Sequence, residues 1–153
     1  KAISFRSRGY FRGHKEQIGA IAIADDGKLA ASAACDFTRD NSRPVDQPVR
    51  LWNIDRQRQV GELSGHKGSI TGLCFSPDGN LLLSACRGHQ VDGSWTGDQS
   101  VRLWDLKTFK QIATFNGHRG SVRAVEFLPD GSHAVTASGD QTLKLLRITS
   151  PQS

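Results

Sequence analysis

The residues with the most chemistry to offer are His66, Ser84 and Asp98. They are the types that nucleophilic acyl transfer combines: a hydroxyl to attack, an imidazole to take its proton and a carboxylate to orient the imidazole. His14, Ser32 and Asp46 repeat the same spacing, and His118, Thr136 and Asp140 repeat its first interval. A metal reading can be built from Cys86 and His89, spaced Cys-x-x-His, with Asp92 nearby. Zinc takes three or four convergent ligands, usually from two such pairs, and only one pair is present, so no metal is assigned. Asp36, Asp40 and Asn41 lack the spacing and central Gly of a calcium loop.

The elements that must hold these residues are set by an internal repeat. Gly-His recurs at Gly13-His14, Gly65-His66 and Gly117-His118, each 52 residues after the last. Counted from each His, apolar residues hold the same register: Ile18, Ile70 and Val122, then Ile21, Leu73 and Val125, then Ile23, Phe75 and Phe127. Asp26-Gly27, Asp78-Gly79 and Asp130-Gly131 follow, a dipeptide suited to tight turns between strands. Val49-Arg50-Leu51-Trp52 matches Val101-Arg102-Leu103-Trp104, with Leu143-Lys144-Leu145-Leu146 as a weaker third copy. A further alternating segment precedes each Gly-His, so each unit reads as four short antiparallel strands. One such unit cannot bury both of its faces alone, and neighbours must stack on it.

Taken together, Gly65-His66, Phe75-Ser76-Pro77-Asp78-Gly79, Ser84 and Val101-Arg102-Leu103-Trp104-Asp105 resemble a WD repeat, the blade of the WD40 β-propeller family. The expected fold is all-β, with three WD repeats over residues 1–153. Residues 1–12 would be the outer strand of a preceding or shared blade, 13–64 and 65–116 two blades, and 117–150 the first three strands of a third. The resemblance implies that a His, a Ser or Thr, an Asp and the Trp of each blade form a hydrogen-bonded relay: His14, Ser32, Asp46 and Trp52 in the first blade, and His66, Ser84, Asp98 and Trp104 in the second. Indole donates, hydroxyl passes the bond on, imidazole does both and carboxylate accepts. A trio recurring at one strand register with a Trp each time fits such a relay better than a single active site, so no catalytic role is assigned. The third copy keeps His118, Thr136 and Asp140, but Leu146 stands where the Trp belongs, and its relay cannot close in the usual way.

Composition bounds the function classes. The chain has 37% hydrophobic residues and 16 Gly among 153, in the range of globular proteins, and no apolar stretch approaches the roughly 18–20 residues that cross a bilayer. No membrane partner is expected. Three Cys without a paired motif argue against a disulfide framework and for a reducing, cytoplasmic setting. The absence of Met reads as a piece of a longer polypeptide. The net charge of +5 is concentrated before Glu16 in Lys1, Arg6, Arg8, Arg12 and Lys15. Residues 5–12 alternate Arg with apolar or small residues, the pattern of an edge strand blunted by charge. Nucleic acid or an acidic partner is the alternative that this cluster allows.

Binding is expected on inserts. Ten extra residues enter each of the first two units, at 36–45 and 88–97, and long loops on a rigid scaffold concentrate function. By resemblance they open on the face of the Gly-His loops. Phe37, Arg39 and Arg43 in one, and His89 and Trp95 in the other, are the candidate partner-binding residues, because Trp and Arg are enriched in hot spots. The expected function is a scaffold for a protein or peptide; a propeller domain associated with an enzyme or cofactor is the alternative, and no cofactor is assigned. Closed propellers have about 4–8 blades. Three repeats therefore need completion, either by further blades or by head-to-tail association of copies as a dimer or trimer.

Overall fold

The computed structural model describes residues 3–35, 48–92 and 94–149, with the backbone alone at 89–91 and 95. All regular structure among them is strand, in three sheets and one small hairpin. Sheet 1 is the meander β1 (Ile18–Ile23), β2 (Leu29–Ala34), β3 (Val49–Asn53) and β4 (Arg58–Leu63). Sheet 2 holds β5 (Ile70–Phe75), β6 (Leu81–Cys86), β9 (Val101–Asp105) and β10 (Lys110–Phe115), and β7 (His89–Val91) pairs with β8 (Ser94–Thr96) outside it. Sheet 3 is β11 (Val122–Phe127), β12 (His133–Ser138) and β13 (Leu143–Arg147). Every pairing is antiparallel.

The repeat appears in the backbone as well as in the side chains. The first strand of each sheet carries a register shift at the same place, between Ile18 and Ala20, Ile70 and Gly72, and Val122 and Ala124. The Asp-Gly turns follow, with Gly27, Gly79 and Gly131 at φ 69, 72 and 66. That left-handed region costs Gly nothing. In each turn the Asp carboxylate accepts the N–H two residues on, from Lys28, Asn80 and Ser132.

Period-two alternation sends successive residues of sheet 2 to opposite faces, and both faces are covered. Leu73, Phe75, Leu82 and Trp104 pack with Ala31, Val49, Leu51 and Leu63 of sheet 1. Cys74, Leu83, Val101 and Leu103 pack with Val122, Val125, Phe127 and Ala134 of sheet 3. Sheets 2 and 3 approach so closely at Gly72 that a Cβ there would lie 3.2 Å from the Val125 nitrogen. The Thr71 hydroxyl donates to the Val122 carbonyl at 2.6 Å and ties the two inner strands together.

Residues 3–17 join no ladder among the described residues, and Ile3, Phe5 and Tyr10 are exposed. An outer strand of a preceding or shared blade, as expected for residues 1–12, would take its backbone partner from outside these three sheets. Phe11 packs on Trp52 at 5.4 Å, and Arg12 stacks over Tyr10 at 4.6 Å. One expectation is corrected. The second insert, expected as a loop, holds the β7–β8 hairpin. Its Asp92-Gly93 dipeptide is a hairpin signal, and Asp92 takes φ 48.

Candidate functional site

The His-Ser-Asp residues sit within the sheets. His66 stands in the approach to β5, Ser84 on β6, Asp98 just before β9 and Trp104 on β9. Trp104 Nε1 donates to Ser84 Oγ at 2.8 Å. Ser84 Oγ and His66 Nε2 are 2.6 Å apart, and His66 Nδ1 is 2.9 Å from Asp98 Oδ2. The carboxylate fixes the proton on Nδ1, so Nε2 accepts from the serine hydroxyl. Asp98 also takes the Lys67 N–H at 3.0 Å, the Ser100 hydroxyl and the Arg102 guanidinium at 3.2 Å. Burial works against the ionised form of Asp98, but hydrogen bonds from His66 and Ser100 outweigh it and hold the carboxyl well below the usual carboxylate range.

In the first unit Trp52 Nε1 donates to Ser32 Oγ at 2.7 Å, and Ser32 Oγ lies 2.7 Å from His14 Nε2. Burial, together with the Arg50 charge, lowers the His14 pKa. Asp46 lies outside the described residues. In the third unit His118 Nε2 is 2.8 Å from Thr136 Oγ1, and His118 Nδ1 is 2.9 Å from Asp140 Oδ2. The Thr142 hydroxyl leads the hydrogen bonds that hold Asp140 low, with burial opposing and the Arg119 N–H and His118 adding to them. Among the described residues no indole bonds Thr136, and residue 146 is Leu.

For acyl transfer this geometry is closed. Ser84 is fully buried, its oxygen already accepts from Trp104, and its proton is directed at His66. A nucleophile needs a substrate within reach of that oxygen. The metal arithmetic also changes. Cys86 is fully buried, and the ligand atoms of His66, Cys86 and Asp98 lie within 4.8 Å of one another. His66 Nδ1 and the Asp98 oxygens are already spent on hydrogen bonds, a guanidinium abuts Asp98, and burial pushes the Cys86 thiol up, which favours S–H over thiolate. The three groups are occupied with each other. All three cysteines are free and buried.

Of the partner-binding candidates, Phe37, Arg39 and Arg43 lie outside the described residues. For His89 and Trp95 only the backbone is described, and it pairs them across the hairpin with Thr96 and Gln90. A feature that residue types alone do not reveal is an apolar cavity of about 410 Å³ between sheets 2 and 3, lined by Val101, Leu103, Ala113, Phe115, Leu146 and Ile148 among others.

The family model described as "WD domain, G-beta repeat" matches residues 5–38, 57–105 and 109–146. The chain belongs to the WD-repeat family. Its three sheets are blades of a WD40 β-propeller, present here as an open, partial ring. Protein HIR1 of Phaeosphaeria nodorum is 28% identical over 138 residues, covering 90% of this chain and 12% of that protein. THO complex subunit 3 of Arabidopsis thaliana is 30% identical over 151 residues, covering 95% of this chain and 41% of that protein. The WD-repeat chain thus spans less than half the length of these relatives. Among solved structures, the β-propeller domain of Myceliophteria thermophila Cps50 (Swd1) superposes with a TM-score of 0.70 at 26% identity, over 91% of this chain and 38% of that one. The RRP9 WD40 repeats superpose at 0.73 with 21% identity, over 90% and 37%, a likeness of fold.

Proposed function

We propose that this WD-repeat segment is a noncovalent scaffold that binds a protein or peptide through the face where its Gly-His loops and the two inserts at 36–45 and 88–97 open. The observation that supports it is the contrast between the two kinds of polar residue. The catalytic-type residues are buried and consumed by internal hydrogen bonds, as at Ser84. The second insert is extra structure, a hairpin that belongs to no blade. That one relative is named a subunit of the THO complex agrees with a role inside assemblies. The test is quantitative capture by the immobilised chain, compared with an Arg39→Ala, Trp95→Ala double variant. Partner recovery that falls in the variant while its thermal unfolding is unchanged supports the reading. Equal recovery from both proteins counts against it.

A second reading concerns assembly, and the two terminal faces favour it. Ile21 and Ile23 on the open face of blade 1 are 69% and 59% exposed, whereas Leu73 and Phe75, 52 residues on, are 8% and 7% exposed. On the open face of blade 3, Leu143 and Leu145 are 68% and 63% exposed, where Val101 and Leu103 of blade 2 are buried. Each face lacks what the other supplies. Head-to-tail stacking of copies, or stacking on further blades, covers both.

A further inference from the structure

The cavity between blades 2 and 3 is the place where the repeat fails. At the preceding interface Trp104 is buried with Val49, Leu51 and Leu63, and Leu106 packs against the same cluster. The Phe109 ring lies on Gly61 from the same side. Carried forward one repeat, Val49, Leu51, Gly61 and Leu63 become Val101, Leu103, Ala113 and Phe115, and Trp104 becomes Leu146. Four of these five line the cavity as its blade 2 wall, and the fifth, half-buried Leu146, lines it from blade 3. The wall keeps the Val and Leu that face Trp104 one repeat earlier and changes Gly61 to Ala113 and Leu63 to Phe115, while the indole opposite has been shortened to isobutyl. Phe115 has turned to Gly117 and His118, with its centroid 5.8 Å from the imidazole, and lines the pocket from that side.

We propose that this pocket receives an aromatic side chain presented by a protein partner. Its volume of about 410 Å³ falls within the range of roughly 300–1,000 Å³ of small-ligand sites. The lining is apolar with few polar groups, and the occupant is named by the equivalent interface one repeat earlier, which holds an indole against the corresponding residues. Arg147 stands on the exposed edge of the pocket, where a guanidinium can lie over the face of an inserted ring. The proposal deepens the protein-binding reading above and rests on it for the source of the ring.

The probe is N-acetyl-tryptophanamide, titrated into the full chain and followed by methyl NMR. The expected result is saturable shifts at Leu103, Leu146 and Ile148, with N-acetyl-leucinamide weaker by about tenfold. Leu146→Trp fills the pocket from blade 3 and is expected to abolish the shifts while raising the unfolding temperature. Ala113→Phe fills it from the exposed outer strand and is expected to abolish the shifts independently. Shifts that lie elsewhere, that persist in both folded variants, or that the leucine amide reproduces equally overturn the pocket. Partner capture by Leu146→Trp at the wild-type level overturns the partner's use of the pocket and leaves the scaffold reading standing. Failure of the wild-type chain to capture any partner, with the probe shifts present, overturns the scaffold reading and the partner source together, leaving a pocket for free aromatic compounds.

Discussion

Phe115 meets His118 edge-on, with ring centroids 5.8 Å apart and planes at 89°, in the third blade, where Trp is absent. In the first two blades the ring beside the imidazole is the Trp of that blade: Trp52 on His14 and Trp104 on His66, each at 6.2 Å and 61°. The contact has passed from a residue late in the blade to one just before its Gly-His. An aromatic wall beside the buried imidazole survives, but the N–H that the indole directs at the hydroxyl is lost, because phenyl carries no donor.

That loss predicts unequal costs for removing the two hydroxyls. Ser84→Ala removes the hydroxyl that Trp104 Nε1 and His66 Nε2 both bond in the core, and two such losses at about 1–3 kcal/mol each place the cost near 2–6 kcal/mol. Thr136→Val removes the bond to His118 Nε2 and a long 3.5 Å one to the Lys144 carbonyl, with no indole donor involved, so its cost is expected to be about half of that. Urea midpoints of the two variants check the order; a Thr136→Val cost equal to or above that of Ser84→Ala contradicts the relay account.

Acid unfolding is expected to run through Asp98. Its carboxyl is held below the ordinary value of about 3.9 by hydrogen bonds that outweigh burial. The unfolded chain therefore binds this proton first. The stability that Asp98 confers is complete above about pH 4 and drains as pH falls through the folded-state value. Asp98→Asn should lower stability at neutral pH and flatten the acid limb of a stability-versus-pH curve. An unchanged acid slope in the variant removes Asp98 from the account.

The open faces predict association. If Ile21 and Ile23 are covered by another blade, replacing both with Lys places two charges in that contact and shifts the solution mass toward the monomer. Both side chains are exposed in the single chain, so the variant should keep its unfolding temperature in dilute solution. Native mass spectrometry of wild type and variant compares the two; a wild-type chain that is monomeric at all concentrations excludes self-completion.

Thiol chemistry should be silent in the folded protein. Burial raises the Cys74 thiol to about 11, with the nearby Glu126 carboxylate adding to the effect, and burial together with Asp98 pushes Cys86 higher still. Because the thiolate is the reactive species, iodoacetamide at pH 8 is expected to leave both unmodified over hours and to label them at once in urea. Rapid native labelling of either residue is the contrary outcome.

Much of this architecture is legible along the chain. The 52-residue period, the alternation within each segment and the Asp-Gly turns are local patterns, and local patterns suffice to place strands, turns and the faces that must be buried. They also show Leu146 in the place of a Trp. The alternation at 5–12 does not encode the pairing of that segment, since an outer strand of a preceding or shared blade depends on a neighbour supplied from elsewhere. The β7–β8 hairpin was signalled by Asp92-Gly93 and obscured by the glycine content around it.

The sequence by itself therefore determined the repeat, the blade class and the identity of the buried polar residues, because each follows from residue types at fixed spacing. Only the tertiary structure decided that Cys86 lies beside His66 and Asp98, that Phe115 turns to His118, and that among the described residues the space left by the missing indole is open. Those outcomes depend on which side chain fills a volume shared by two blades. That competition is settled by packing between residues far apart in the chain.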